Sequence, residues 1–298
     1  MPELPDLSVY IERLQVLAGG QPLQRLRVLN PFVLRTALPP IAEAEGRRLA
    51  GVERLGKRVV LALDEGPLIV IHLMIAGRLH WRAAPAVAGK AAGPPGALAA
   101  FGFEAGTLWL AEAGTQRLAS IHLLADRAAL AAMDPGGLEV FACTPAAFLE
   151  RLQRANHTLK RALTDPACVS GIGNAYSDEI LHRARLSPVM LTRALDADRA
   201  GRLLEACRAV LGEWTRRLRD EAARSGWPAK VTAFRPEMAV HGRYGLPCPD
   251  CGAPVQRIVH ASNETNYCAA CQTGGRLLAD RALSRLLKAS WPKTLDDL

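Results

Sequence analysis

Hydrophobic and polar positions divide this chain into two regimes. Near the amino terminus, "ELPDLSVYIERLQVLAGG" places apolar residues at Leu7, Val9, Tyr10, Leu14 and Leu17 and stops at two glycines. That spacing predicts an amphipathic helix lying against a sheet. From "RLRVLN" through "RRLAGVERLGKRVVLAL", "PLIVIHLMIAGRLHW", "AAFGFEAGTLWLAEAG" and "LASIHLLA", short β-rich runs alternate with glycine and charged turns. The rhythm predicts an antiparallel sandwich or barrel. "APAVAGKAAGPPGA" reads as a surface loop from its alanine, glycine and proline content. From about Thr144 the period becomes helical, in "TPAAFLERLQRAN", "LKRALTD", "GNAYSDEILHRARL" and the long run "ALDADRAGRLLEACRAVLGEWTRRLRDEAARSG". A boundary is therefore expected near "MDPGGLEVF". Beyond the long helix, the polar, aromatic-dotted "WPAKVTAFRPEMAVHGRYG" leads to a cysteine-rich hairpin, and a helical tail, "GRLLADRALSRLLKASW", closes the chain.

Composition sharpens this layout. A chain of 298 residues is long enough for two domains and a small appendage. Its formal net charge of +8 and pI near 9.4 favour an acidic partner, nucleic acid or an anionic surface. No apolar run reaches the roughly 18 residues that span a bilayer, and no basic segment followed by an apolar one opens the chain. The expectation is a cytoplasmic protein with reduced thiols.

Seven cysteines then separate into two kinds. Cys143, Cys168 and Cys207 stand alone and read as small core residues. "CPDC" and "CAAC" place Cys248, Cys251, Cys268 and Cys271 as two C-x-x-C pairs, with the sixteen residues from Gly252 to Tyr267 between them. Each pair can point two thiolates at one ion, and the intervening segment is long enough for a hairpin that joins the pairs. One zinc ion with four cysteine ligands is the expected cofactor, and its filled coordination sphere makes it structural.

The stretch "VSGIGNAYSDEIL" lacks a preceding strand and a third glycine, which makes a dinucleotide-binding turn a poor reading. It reads as a turn between two helices. Its glycines would let backbone approach a phosphate, with the amides of Gly173 and Asn174 aimed at it; alternatively, Asn174 is only a helix cap.

"MPELPD" at the start, "LGKR" at 55–58, "HLMIAGRL" at 72–79, "LKRALTDPACVSGIGNAYSDEILHRARLSP" at 159–188 and the C-x-x-C pairs together resemble the formamidopyrimidine-DNA glycosylase and endonuclease VIII family. The resemblance runs in family order to about Gln272. It implies an α+β multidomain fold: an N-terminal β-sandwich with its helix over 1–132, a helix–two-turn–helix domain over 133–240, a zinc ribbon over 241–273 and a tail over 274–298. It implies a monomeric base-excision repair enzyme at the nucleoid, acting on damaged double-stranded DNA as glycosylase and abasic-site lyase. Loss of Met1 would make Pro2 the nucleophilic secondary amine, with Glu3 as proton carrier and Lys57 touching phosphate and assisting elimination. Lys160 and Asn174 match phosphate-binding positions. Ile75 stands where the family has a wedging methionine, and Arg117 and Leu118 stand as contact and wedge for the estranged base. Asn263 replaces an arginine that grips phosphate, which predicts a weaker grip and a doubtful second elimination. Asp6 replaces a glutamate near the damaged base. The segment after the long helix resembles the family's purine-capping loop, which makes oxidised purine the default lesion. An alternative of a different class is a damaged-DNA-binding protein of the same fold with weak or no turnover.

Overall fold

Helix α1 spans Leu4–Ala18 and stops at Gly19 and Gly20, where the apolar spacing ends. Its Leu7, Tyr10, Leu14 and Ala18 are buried in the main core, one turn apart. The computed structural model describes residues 1–84, 93–113, 116–228, 231, 234–260, 263–279, 281–288 and 292–297. The loop expected around "APAVAGKAAGPPGA" falls largely outside them, as do parts of the connection after the long helix.

Eight strands follow α1: β1 (Arg25–Val28), β2 (Leu49–Leu55), β3 (Arg58–Leu63), β4 (Leu68–His72), β5 (Gly77–Ala83), β6 (Ala97–Gly102), β7 (Gly106–Glu112) and β8 (Ser120–Leu124). They make two antiparallel four-stranded sheets, ordered β1-β6-β7-β5 and β2-β3-β4-β8. Between a sandwich and a barrel, the chain forms the sandwich. Inward residues of both sheets, such as Phe101 and Leu110 on one and Leu61 and Ile71 on the other, share one core. The run "RVVLAL" of β3 does not alternate because both its faces are covered. Val59, Leu61 and Leu63 face the main core, while Val60 and Ala62 pack with Leu130 of the short helix α2 (Arg127–Ala132).

The remaining elements are mostly helical. They are α3 (Pro145–Gln153), α4 (Leu159–Thr164), α5 (Asn174–Arg183), α6 (Ala197–Ser225), the hairpin β9 (Val255–His260) and β10 (Asn263–Cys268), α7 (Ala269–Thr273) and α8 (Arg281–Leu287). Thr144 and Thr158 cap α3 and α4 by accepting the N–H groups of Ala147 and Arg161. The tail is less helical than its sequence suggests. Leu277 and Leu278 are buried beside Tyr267, Leu278 donates its N–H to the Tyr267 hydroxyl, and among the described residues of the tail the helices are α8 and a 3-10 turn at Leu295–Asp297.

Contacts divide the chain into two units, Met1–Pro135 with Trp214–Val231 and Gly136–Glu213 with Thr232–Leu298. The expected helical domain over 133–240 therefore loses the second part of α6 to the amino-terminal unit. Leu218 and Ala222 bury against Val9 of α1. Trp227 lies 5.3 Å from the Tyr10 ring and donates its indole N–H to the Leu79 carbonyl. An amphipathic helix goes where its apolar stripe is covered, whatever its neighbours in sequence.

Candidate functional site

In the amino-terminal unit, "MPELPD" becomes the start of α1. Glu3 is the N-cap, and its backbone N–H donates to Asp6 Oδ2 at 3.0 Å, closing a capping box. Asp6 is thus held in a cap and buried. Pro2 and Glu3 are buried as well. Lys57 enters from the β2–β3 turn, where Gly56 adopts φ +59°. Burial holds the Lys57 ammonium below its ordinary pKa, and the Glu3 carboxylate opposes that shift. The chain's amino group, carried by Met1, is also held below 8.0, chiefly by burial and then by Arg78 and Lys57, against Glu3 and Asp6. Pro2, Glu3, Lys57 and Arg78 therefore share one electrostatic neighbourhood around the amino terminus.

The two expected wedges of this unit lie on turns. Ile75 is 63% exposed in the β4–β5 turn, preceded by Met74 at φ +51°. Arg78 ties the turn by donating to the carbonyls of Ile75 and Gly77. Gly77 has no substitute there, since a Cβ would lie 2.2 Å from the Leu73 carbonyl oxygen. Arg117 and Leu118 are exposed between β7 and β8, and the buried Glu112 pins the end of that loop through the Ala119 N–H.

In the carboxy-terminal unit, α4, a turn and α5 bring Lys160 to Asn174. The Lys160 ammonium donates to the Asn174 carbonyl at 2.7 Å and to Asp178 Oδ1 at 2.6 Å, and its side chain is 13% exposed. Two of its three donors are internal, so it braces the turn. Asn174 is the first residue of α5 and donates its side-chain N–H to the Glu264 carbonyl on β10, next to Asn263. Asn263 itself is exposed at the start of β10.

Four residues of α5 and its neighbours were not singled out by sequence reasoning. Asp178 Oδ2 meets His241 Nδ1 at 2.7 Å, so one carboxylate serves Lys160 and His241 together. Glu179 accepts the N–H groups of Ala239, Val240 and His241. His182 Nε2 lies 3.3 Å from Cys248 Sγ. The signal was present as polar residues at Asn174, Asp178 and His182, one turn apart in a segment otherwise read as a single turn motif.

The four cysteines of the two C-x-x-C pairs converge. Their Sγ atoms all lie within 4.8 Å of one another, with Cys251 and Cys268 at 3.4 Å and Cys248 and Cys271 at 4.0 Å. The β9–β10 hairpin and the start of α7 supply the register, pairing Cys268 with Val255. Among the described residues no helix is long and apolar enough to cross a membrane.

Family models agree with this anatomy. Residues 1–120 match the formamidopyrimidine-DNA glycosylase N-terminal domain, 133–219 the formamidopyrimidine-DNA glycosylase H2TH domain and 245–274 the zinc finger found in FPG and IleRS. The formamidopyrimidine-DNA glycosylase of Thermus thermophilus is 35% identical over 92% of this chain and all of its own length. That of Geobacillus kaustophilus is 32% identical over 91% of this chain and all of its own. The crystal structure of the MutM (Fpg) protein from Thermus thermophilus superposes with a TM-score of 0.72 at 32% identity, covering 91% of this chain and 98% of that one. The Lactococcus lactis Fpg solved in complex with Fapy-dG-containing DNA shares the fold, with a TM-score of 0.79 at 22% identity over 91% of this chain and 100% of that one. The three domain matches follow one another along the β-sandwich, the helical segment and the four-cysteine hairpin, and the chain belongs to the formamidopyrimidine-DNA glycosylase family of DNA-repair glycosylases.

Proposed function

We propose that this protein excises a damaged base from duplex DNA and then cleaves the resulting abasic site through a Schiff base on Pro2. The observation that carries the reading is the buried amino terminus, where Glu3 and Lys57 act on the same amine. Removal of Met1 would put a secondary amine at Pro2 in that neighbourhood. An amine held below its ordinary pKa is unprotonated, and so nucleophilic, over more of the neutral range.

The chemistry follows from the atoms present. The Pro2 lone pair forms a bond to C1′ as the glycosidic bond breaks, and the base departs with that bond's electron pair and takes a proton from water. Glu3 accepts the proton of the Pro2 N–H and passes it to the ring oxygen as the C1′–O4′ bond opens, leaving an iminium. A secondary amine leaves no N–H on that iminium, so it stays a cationic electron sink. Loss of a C2′ proton then expels the 3′ phosphate. Lys57 supports this step by charge against the phosphate. Ile75, Arg117 and Leu118 are placed on exposed turns suited to filling the duplex when a base is extruded.

The other unit supplies grip. Asn263 is exposed at the start of β10, and Asn174 donates to the adjacent Glu264 carbonyl; both side chains are neutral, and neutral donors hold phosphate less tightly than a guanidinium would. We accordingly expect the first elimination to dominate over the second; oxidised purine stays the default lesion on the resemblance of the segment after the long helix to the family's purine-capping loop. The four Sγ atoms fit one tetrahedral zinc, whose ligand sulfurs stand about 3.8 Å apart when each Zn–S bond is about 2.3 Å. Zinc there would stiffen the hairpin that bears Asn263.

Borohydride reduction in the presence of abasic-site DNA tests the reading. A covalent adduct is expected with the wild-type chain and none with Pro2→Gly. Tight binding of that DNA with no adduct would make this a DNA-binding protein without turnover. Intact mass of the purified protein should show the loss of Met1 that the nucleophile needs.

A further inference from the structure

Helix α5 presents a stripe of polar side chains at Asn174, Asp178 and His182, and Arg185 follows just beyond its last residue, Arg183. Asn174 holds the Glu264 carbonyl, Asp178 holds His241, His182 reaches Cys248, and Arg185 reaches Asp250 in the first C-x-x-C turn. At its far end, Gln272 of α7 donates back to the Leu186 carbonyl at 2.9 Å and accepts the Cys268 N–H. Asn174, Asp178 and His182 stand four residues apart within the helix, so these three lie along one face.

The last two contacts bear on the ion. His182 Nε2 is 3.3 Å from Cys248 Sγ, and the side chain is 4% exposed. A metal-bound thiolate has no proton to donate, so the imidazole must supply the N–H. Arg185 bridges Asp250 Oδ2 at 3.1 Å, and the neighbouring Cys271 sulfur and the Asp250 carboxylate hold its guanidinium above the ordinary pKa. Asp250 lies 3.9 Å from His182 Nε2, which ties both side chains to the first C-x-x-C turn. A divalent ion with four thiolates carries a formal charge of about −2, left largely uncompensated by the ligands themselves. One guanidinium and one buried N–H donor lie where that excess charge would be.

We propose that His182 and Arg185 form an outer shell of N–H donors to the Cys248 and Cys271 thiolates, fastening the ion, and with it the hairpin, to α5. The proposal rests on the reading that the four cysteines hold zinc. His182 is a positioning residue in this scheme: it steadies a ligand and does not bind the metal. Because α5 begins at Asn174, the same shell would keep the phosphate-facing turn in register with the hairpin.

Zinc transfer from the purified full-length protein to a chromogenic chelator reads this directly. His182→Phe keeps a flat ring but removes the donor, and zinc should leave about tenfold faster or more, the scale on which such partners act. His182→Gln retains an N–H and should fall between. In cobalt-substituted protein the thiolate-to-metal charge-transfer band should shift in His182→Phe. In wild-type protein loaded with cadmium-113, a correlation between the metal and the His182 ring N–H proton is expected, and it needs no variant to fold. Its absence, or release and spectra unchanged in His182→Phe, would overturn the proposal while leaving the zinc reading intact. Zinc far below one ion per wild-type chain would overturn both.

Discussion

Lys160 shows how burial changes what a charge does. On sequence it matched a phosphate contact; in the fold it is clamped between the Asn174 carbonyl and a carboxylate whose side chain is fully buried. Removing one partner of such a pair strands the other, which costs about 3 kcal/mol or more. Lys160→Met should therefore lower the urea midpoint of the protein and leave the slope of log K against log salt for DNA binding nearly unchanged. A phosphate-neutralising lysine would do the reverse and reduce that slope by about one. The amino terminus gives a second residue-level expectation. Burial, Arg78 and Lys57 hold the Met1 amine below 8.0; with the same neighbours acting on Pro2 once Met1 is removed, we expect the acid limb of the lyase pH profile below that of an exposed α-amino group. Lys57→Gln removes one of the cations that lower it, and the limb should move toward higher pH. His72 offers a stability test of the same logic. Burial, helped by Arg58, Lys57 and His122, lowers its pKa to about 4, whereas in the unfolded chain it titrates near 6.5. Its neutral form is the one the fold favours, so its contribution is complete above about pH 6.5 and lost as pH falls toward 4. His72→Phe should flatten that part of the stability profile in pH-dependent denaturant melts.

Among the elements, α5 does more than any other to place the site. Its Glu179 accepts three consecutive backbone N–H groups from Ala239 to His241, all in one buried corner. Glu179→Ala would leave those donors without an acceptor, at about 1 to 3 kcal/mol for each that water does not reach. Glu179→Gln keeps one carbonyl oxygen and should be distinctly milder. Denaturant melts of the two variants should rank in that order, and equal midpoints would rule out this role. The capping box of α1 works on the same principle at smaller scale. Glu3 and Asp6 satisfy the exposed donors of a helix start, and in doing so they place the catalytic candidates at the first turn.

For the whole molecule, charge and connectivity set the remaining expectations. A net charge of +8 should make duplex binding fall steeply with salt, by tenfold or more between roughly 50 and 200 mM. Titrating undamaged duplex at a series of salt concentrations measures it, and a flat response would exclude a phosphate-tracking surface. Much of this organisation was legible in the chain. The helical spacing of Leu7, Tyr10 and Leu14, the β-rich runs and the two C-x-x-C pairs each follow from local periods of 3.6, of 2 or of a metal-binding turn. Local patterns report local geometry, and these elements formed where expected. Other features depended on partners distant in sequence. Asp178 gained its role from Lys160 and His241, 18 and 63 residues away, and His182 from Cys248, 66 residues away. By contrast, Asp6 accepts the Glu3 N–H three residues away, a local contact that the helix start itself supplies. The last part of α6 joined the amino-terminal unit because Val9 covers Leu218 and Ala222 there. By itself the sequence determined the elements, the cysteine framework and the chemistry available at the first three residues. Only the tertiary structure decided which buried charges answer one another, because a charge taken out of water must find its partner in space, and spatial neighbours are set by the packing of the whole chain.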